Sequence, residues 1–252
     1  MTGACLLTSP ALSATIGDDL LAYWQFDEGS GTTTADYKGE ANGTTSGGIV
    51  WTTGADAKYG GALRYDGADG CVLLPTGGSL ANPSTSAMTF SVWLKADEAV
   101  GSIVGSYRSI FNSSAGQDYY ICYYDKGNNQ LRLKVSSTNS GITRIGIAGA
   151  DVPVDTWYHF AGVYDGTNTI VYLNGVQKSS LTGASGQLKD GQVSGIGVKG
   201  ASAQQYWKGV IDDLAIWKRA LPVDQIQFIC NSNKPVKDIL NVDTAVTDWA
   251  LY

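Results

Sequence analysis

Alternating apolar and polar positions run through most of this chain, and they predict strands rather than helices. Residues 88–96, with the sequence MTFSVWLKA, place Phe90, Val92 and Leu94 on one face and polar or mixed side chains on the other. This period of two is typical of a strand whose one face is buried in a core.

The clearest antiparallel unit lies in residues 157–176, with the sequence WYHFAGVYDGTNTIVYLNGV. Its β-branched and aromatic run at residues 169–173 is long enough for a strand. The pairs Asp165-Gly166 and Asn174-Gly175 flank that run and accept the positive φ that tight hairpin turns require. We expect two or three paired strands here.

Shorter apolar runs predict the remaining strands, at residues 20–26, 49–51, 62–65, 71–74, 103–104, 119–124, 131–135, 143–147, 193–198 and 209–217. Residues 32–48 are small, polar or Gly, and they predict a long loop of the kind that is usually functional or pinned by a ligand. One helix of about two turns is predicted to start at Pro222, because Val223 and Ile226 then share a face with residues 228–230. The fold class predicted is all-β, an antiparallel sandwich with one short C-terminal helix.

Length and composition support a single domain of this class. The 252 residues include 32 Gly and 6 Pro, which divide the chain into many short strands and turns. We expect a domain at residues 18–232, an N-terminal arm or remnant signal segment at 1–17, and a C-terminal arm at 233–252 with Trp249 and Tyr252 as anchors. The opening residues 1–14 end in A-L-S-A, like a signal-peptide cleavage site, but lack a positive start, so both interpretations stay open.

Charge narrows the classes of partner. The formal charge of −6 argues against binding to a nucleic-acid backbone, which requires a basic face. No run of eighteen apolar residues occurs, so no membrane-spanning helix is predicted. Twenty acidic residues are Asp and only three are Glu, a bias towards turns and towards the oxygen ligands of calcium.

Cysteine spacing gives two alternatives. Cys5, Cys71, Cys122 and Cys230 contain no C-x-x-C pair, and the chain has one His, so a zinc site is not expected. Two disulfides with three connectivities are allowed, and small buried thiols are equally compatible with the strand positions of Cys71 and Cys122.

A series of motifs in this order resembles the laminin-G-like branch of the concanavalin A-like lectin and glucanase superfamily. The motifs are YWQFDEGSG, DYKGEANGT, YGGALRYDG, FSVWLKA, WYHFAGVYDG, VYLNGV and GVIDDLAIWKRAL. The resemblance covers residues 18–232 and implies a two-sheet jelly roll that is usually secreted or surface-exposed. It also implies one structural calcium ion and glycan binding as common properties.

The resemblance assigns a calcium site to the long loop and the last strand. DYKGEANGT resembles the D-x-x-G-x-x-N-G loop of the family, which gives Asp36, Asn42 and the backbone of Thr44 as ligands, with Asp212 from GVIDDLAIW as the fourth. Alternation in that strand puts one of Asp212 and Asp213 on an apolar face, where a carboxylate must be paired or bind a metal. Asp27 is a reserve ligand. The alternative is an Asx-turn loop and a buried Asp212 hydrogen-bonded to backbone.

Catalytic motifs are missing from the sequence. His159 shares a strand face with Trp157 and Ala161, which indicates a packed core histidine, and no G-x-S-x-G motif accompanies it. The E-x-D-x-E carboxylates of the glucanase relatives do not occur, and a retaining glycosidase requires two carboxyls about 5 Å apart. We therefore predict that the chain is not an enzyme.

Aromatic residues in loops are the candidates for stacking on sugar rings. The predicted ligand-binding residues are Tyr107, Arg108, Tyr119 and Tyr206. Trp207 lies at a position that is apolar in the family, so it is predicted to be a core residue.

Three functions follow in order of preference. The first is a non-catalytic glycan-binding or adhesive module, secreted or surface-exposed, with structural calcium. The second is a structural subunit, such as a virion or sheath decoration, whose terminal arms contact other copies. The third is a hydrolase or lyase without a recognisable carboxylate pair.

Overall fold

The computed structural model describes residues 14–114, 118–139, 141–189, 193–199 and 205–243. The strands in these residues are β1 Leu20–Trp24, β2 Thr33–Thr34, β3 Gly43–Ser46, β4 Ile49–Thr53, β5 Gly61–Asp66, β6 Cys71–Leu73, β7 Met88–Ala96, β8 Tyr107–Ser114, β9 Asp118–Asp125, β10 Gln130–Ser137, β11 Gly141–Ala148, β12 Tyr158–Tyr164, β13 Asn168–Leu173, β14 Val176–Thr182, β15 Val193–Ile196 and β16 Lys208–Trp217. The helices are α1 Gly78–Ala81 and α2 Val223–Asn231, and 3-10 turns occur at Gly54–Asp56, Val100–Ser102, Gly149–Asp151 and Val236–Asp238.

The strands form two antiparallel sheets that pack face to face. The first sheet has the order β14-β13-β12-β7-β16-β5-β4, with β1 also paired to β16, and the second has the order β11-β10-β9-β8-β15-β6-β3-β2. Aromatic rings from both sheets meet in the core between them. The Phe90 ring of the first sheet lies 5.6 Å from that of Phe111 in the second. The all-β sandwich predicted from the sequence is confirmed.

The hairpin unit forms as predicted, with different loop lengths on its two sides. Asn174 and Gly175 have φ of 50° and 74° and make a two-residue turn between β13 and β14. Residues 165–167 instead form a three-residue loop between β12 and β13, in which the Asp165 carboxylate accepts the N–H groups of Thr167 and Asn168.

Two predictions about local structure were wrong. The apolar pair at residues 103–104 is not a strand: Ile103 is buried, Val104 is exposed, and β8 begins three residues later at Tyr107. Residues 32–48 are not entirely loop, since β2 and β3 lie within them. Thr44, Thr45 and Ser46 pair with β6, and Gly43 pairs with Thr34 of β2, so the sheet supplies order that local composition did not reveal.

A second apolar layer covers the outer face of the first sheet. It is formed by residues 222–243, here called the C-terminal cover, together with Ile16 from the N-terminal side. Ile226, Val236 and Ile239 of the cover are buried, and the Ile16 N–H donates to the Val242 carbonyl at 3.1 Å. The helix predicted from Pro222 is confirmed as α2. Trp249 and Tyr252 lie outside the described residues.

A β-bulge interrupts the alternation in β16 that the sequence suggested. Pairing to β7 shifts between Asp212 and Ala215, and Asp213 has a left-handed φ of 50°. Ile211 and Leu214 therefore both face the core between the sheets. The extra residue allows both acids to be buried.

The described cysteines Cys71, Cys122 and Cys230 are free and buried, which agrees with the buried-thiol alternative for these three. Cys5 lies outside the described residues. In the part of the chain that the structure describes, no helix has the length and apolar character needed to cross a membrane.

Candidate functional site

A surface cleft of about 340 Å³ lies at the start of β8. It is lined by residues 104–108 together with Gln205 and Tyr206. Three of the four predicted ligand-binding residues, Tyr107, Arg108 and Tyr206, line this cleft. The fourth, Tyr119, lies in β9, and its side chain is outside the described part of the structure.

Tyr107 and Val104 give the cleft an exposed apolar rim. Tyr107 is 36% exposed and Val104 is 77% exposed. The Tyr107 ring meets the Tyr123 ring edge to face, with centroids 5.7 Å apart. This contact fixes the plane of an exposed aromatic ring, which is the arrangement needed to stack against a flat apolar ligand face.

Arg108 supports the cleft from below instead of facing a ligand. The residue is 8% exposed, and its Nε donates to Glu98 Oε1 at 2.7 Å. Its Nη1 donates to the backbone carbonyls of Gly67 at 2.9 Å and Tyr206 at 3.0 Å. The guanidinium thus positions the backbone of Tyr206, so its predicted role in ligand contact is better described as a positioning role.

The Gln205 backbone is a second point at which the segment carrying Tyr206 is bonded to β8. Its carbonyl accepts the Ser109 N–H at 2.7 Å, and Gln205 adopts a left-handed φ of 62°. Tyr206, which is half-buried, has its pKa raised by burial and by the nearby Cys71, Asp69 and Asp66. The loop that carries Tyr206 is therefore held at two backbone points and has acidic groups on one side.

Polar side chains continue from the cleft across the outer face of the second sheet. Tyr123 points to this face because its neighbours Cys122 and Tyr124 lie in the core. The Arg132 guanidinium donates to Asp125 at 2.8 Å, and both residues lie near Tyr123. Arg144, on β11, is exposed and also acts on the Tyr123 phenol electrostatically. Aromatic and charged groups thus adjoin the cleft.

The predicted calcium ligands of the first loop already have partners. Asp36 Oδ1 accepts the N–H groups of Tyr23 and Lys38, and Oδ2 accepts those of Glu40 and Ala41. Because each carboxylate oxygen has about two lone pairs, these four bonds occupy its acceptor capacity. The Asn42 amide oxygen accepts the Asp36 N–H at 2.8 Å, and Thr44 lies in β3 between β2 and β6.

The fourth predicted ligand is held elsewhere. Asp212 Oδ2 accepts the N–H groups of Lys58 and Tyr59 at 2.9 Å, and it shares no hydrogen-bond partner with Asp36. Asp27, the reserve ligand, accepts the Gly61 N–H and pairs with Lys237 at 3.1 Å. Within the described ranges no cluster of three or more His, Cys, Asp or Glu side chains could hold a metal. These residues do not fit one calcium centre, and their geometry matches the alternative of an Asx-turn loop.

His159 is a core histidine, as predicted. Its ring is fully buried beside Trp93, and Nε2 lies 2.8 Å from Ser91 Oγ. Burial and the nearby Lys58 ammonium lower the pKa of His159 to about 3, so the ring is neutral at ordinary pH. Trp207 is also a core residue, with its ring edge-on to Tyr124.

Two buried acids in β16, Asp212 and Asp213, have pKa values well above the ordinary value of an aspartate. Burial raises the pKa of Asp212 to about 8 and that of Asp213 to about 7. Backbone N–H donors to Asp212, and the Tyr23 hydroxyl and Val236 N–H donors to Asp213, oppose the shift without cancelling it. Neither acid lines the cleft at Tyr107.

Sequence reasoning missed Tyr123, Glu98 and Gln205. Tyr123 belongs to the pair Tyr123-Tyr124 in β9, and strand alternation lets only one residue of such a pair face outward, a signal that the sequence carries. The role of Glu98 depends on a contact with Arg108, 10 positions away, and that of Gln205 on a contact with Ser109, 96 positions away, and no local pattern reports either.

A family model described as concanavalin A-like lectin/glucanases superfamily, of the laminin-G type, matches residues 66–227. The chain belongs to this superfamily. A comparison with curated proteins finds no match.

Several solved domains from other proteins have the same fold as this chain. Domain 4 of AbnA, an extracellular arabinanase from Geobacillus stearothermophilus determined with arabinotriose, superposes with a TM-score of 0.59 and 20% identity over 84% of this chain and 98% of that domain. The binding domain of botulinum neurotoxin DC with rat synaptotagmin II gives 0.66 and 14% identity over 87% of this chain and 53% of the toxin domain. The same toxin domain is also known with SialylT, at a TM-score of 0.63.

These likenesses establish the jelly-roll fold. The chain spans about half the length, 53%, of the neurotoxin binding domains that it matches. The neurotoxin neighbours are binding domains, and what they share with this chain is the concanavalin A-like fold.

Proposed function

We propose that this chain is a non-catalytic carbohydrate-binding module that binds a glycan in the cleft between Tyr107 and Tyr206. The observation that carries the proposal is an exposed tyrosine, Tyr107, whose ring packs on Tyr123 and which lines a cleft of about 340 Å³ together with a second tyrosine, Tyr206. Ligand sites of this kind combine apolar rings with a few fixed polar groups. Rings that are already fixed lose little conformational entropy on binding.

Similar domains support the choice of ligand class. Domain 4 of AbnA was solved with arabinotriose, and a toxin binding domain with SialylT, so the fold accommodates saccharides in other proteins. Arabino-oligosaccharides and sialylated oligosaccharides are therefore the first ligands to test. A secreted or surface-exposed location and an adhesive role are part of the same proposal.

The test is a broad glycan array followed by calorimetry on the best ligand. We expect Tyr107→Ala and Tyr206→Ala each to weaken binding at least about tenfold, since stacking of an aromatic ring contributes about 0.5–1.5 kcal/mol beyond its buried area. Tyr37→Ala is the matched control, because Tyr37 is 52% exposed and lies in the first loop. Equal losses in all three variants, or no array signal, would contradict the proposal.

The absence of catalysis is tested separately. Glu98 is a carboxylate bonded to the cleft residue Arg108, and its side chain is 13% exposed. We expect binding without turnover of the array's best ligand over hours. Release of reducing ends by the wild type, lost in Glu98→Gln, would identify an enzyme instead.

A structural calcium ion is implied by the family resemblance alone, and the contacts of its predicted ligands speak against it. The hydrogen bonds of Asp36 argue for a loop that folds without metal. We expect the melting temperature to be the same in EGTA and in millimolar calcium, and glycan affinity to be unchanged. A rise of several degrees with calcium, lost in Asp36→Asn, would restore the metal site.

A further inference from the structure

Cationic side chains on the outer face of the second sheet lie to one side of the cleft. Alternation places Arg132 and Lys134 of β10 and Arg144 of β11 on this face, because the residues between them lie in the core. Asp125 of β9 is the anionic group among the described side chains at the outward positions of these three strands. This part of the described surface therefore has more cations than anions, although the chain as a whole carries a formal charge of −6.

The strand register connects these groups to the cleft. The Tyr107 ring of the cleft packs edge to face on Tyr123, and Tyr123 lies opposite Arg132 in the pairing of β9 with β10. Arg132 in turn lies opposite Gly146, so Arg144 is its diagonal neighbour on β11. Three strand spacings, about 14 Å in all, separate β8 from β11. The cleft and Arg144 thus belong to one surface that an oligosaccharide, unlike a single sugar, can span.

Of the two arginines, Arg144 is the one available to a ligand. Arg132 Nη1 donates to Asp125 at 2.8 Å, and the Arg132 side chain is only 15% exposed, so this cation is committed to a partner in the sheet. Arg144 is exposed, and within the described residues it forms neither an ion pair nor a side-chain hydrogen bond. A guanidinium carries its N–H donors in a planar fork, which matches the two oxygens of a carboxylate.

Acidic groups lie at the other end of the cleft. The segment of Tyr206 lies on the side of β8 that faces β15, since the next residue, Trp207, donates its N–H to the Gly197 carbonyl just after β15. Asp69 and Asp66 are near enough to contribute, after burial and Cys71, to the raised pKa of Tyr206. A ligand anion is therefore repelled at the Tyr206 end and attracted at the Arg144 end.

We propose that the saccharide bound in the cleft is acidic, and that Arg144 selects it by pairing with its carboxylate at the end of the site away from Tyr206. This inference rests on the proposed function, because it assigns the charged end of the same ligand. Arg144 is then a specificity-determining residue, whereas Tyr107 holds the sugar ring whether or not the sugar is charged.

Calorimetry with matched saccharides tests the selection. The probes are trigalacturonate and sialyllactose, each compared with its own methyl ester, in which the negative charge is removed and the sugar is kept. We expect the wild type to bind at least one acid about tenfold or more tightly than its ester, since hydrogen bonds between charged groups are stronger than neutral ones. This preference should shrink when sodium chloride is raised from about 0.01 M to about 1 M, because salt screens exposed charges.

Variants assign the preference to Arg144. Arg144→Ala should lower the affinity for the acid to that for the ester and leave the affinity for the ester unchanged. Arg144→Lys should keep part of the preference, because it retains the charge without the planar fork. Lys178→Ala, which removes a cation from the edge strand β14 of the first sheet, is the matched control and should keep the full preference.

The possible failures are distinguishable. Equal binding of acid and ester that is lost in Tyr107→Ala would overturn the selection and leave the proposed function standing. A preference for the acid that survives in Arg144→Ala, or tighter binding of sulfated than of carboxylated saccharides on the array, would also overturn the assignment. No binding of any saccharide on the array would contradict both the proposed function and this inference.

Discussion

At the residue scale, Arg108 shows how one buried cation can organise a binding cleft. Its side chain is 10% exposed and that of Glu98 13%, so both charges are largely removed from water. Arg108→Ala leaves Glu98 buried without its partner and frees two backbone carbonyls. We expect a loss of about 3–5 kcal/mol in the free energy of unfolding, measured by urea denaturation, and weaker glycan binding.

Arg64 provides the control for that prediction. Its pairs with Asp97 and Asp56 lie at the surface, with the Arg64 side chain 32% exposed. Arg64→Ala should cost about 1 kcal/mol or less and leave glycan affinity unchanged. If the two arginine variants were equally stable, Arg108 would not be the support of the cleft.

Buried titratable residues also predict how stability depends on pH. The folded pKa values of Asp212 and Asp213 are raised, so the folded state binds more protons than the unfolded state between about pH 4 and pH 8, and stability falls as pH rises through this window. The lowered pKa of His159 acts oppositely between about pH 3 and pH 6.5. Of these three residues, Asp212 and Asp213 alone change the free energy of unfolding with pH above pH 6.5.

We therefore expect the free energy of unfolding to decrease from pH 6.5 to pH 8, with a slope of at most about 1.4 kcal/mol per pH unit for each acid. Denaturant titrations at several pH values measure this slope. Asp212→Asn should flatten it in that interval, whereas His159→Gln should change only the acidic side. A wild-type stability that rises from pH 6.5 to pH 8 would contradict the assignment.

At the element scale, the β13–β14 turn shows a local sequence signal that the fold follows. Gly175 has φ of 74°, a conformation that costs an L-residue about 1–2 kcal/mol. Gly175→Ala should lower the free energy of unfolding by about that amount, because its neighbours leave ordinary space for a methyl group. Gly127, whose φ is not positive, is the matched control and should change stability by about 0.5 kcal/mol or less.

Elements with strong periodicity could be predicted, and those fixed by distant partners could not. β7, the 157–176 unit and α2 were predicted from their own residues, because period and turn chemistry are local. β2, β3 and the start of β8 were missed because strands that are short, or rich in Gly, Ser and Thr, are ordered chiefly by pairing with β6, β9 and β15. Alternation put Asp212 and Asp213 on opposite faces of β16, whereas the bulge at Asp213 lets both be buried on the same side.

The same distinction applies to the candidate site. Tyr107 and Tyr206 were chosen as loop aromatics, and the fold brings them to one cleft although 98 positions separate Arg108 from Tyr206. The grouping of Asp36 with Asp212 came from family resemblance. The backbone donors that occupy Asp36 could be known only from the folded loop.

At the scale of the whole molecule, the two sheets have different outer faces. That of the first sheet is closed by the C-terminal cover and its apolar layer. That of the second sheet carries Tyr123, Arg132 and other polar groups next to the cleft. One face is therefore available for a saccharide, while the other depends on the cover staying in place.

The most direct measurement is a titration of the isotopically labelled chain with its best array ligand, followed by backbone and tyrosine-ring NMR shifts. The account predicts saturable shifts concentrated at residues 104–108, Tyr123 and residues 205–206, with none at residues 36–44 or in the C-terminal cover. Shifts centred on the first loop or the cover, or saturating binding that leaves Tyr107 and Tyr206 unchanged, would contradict it.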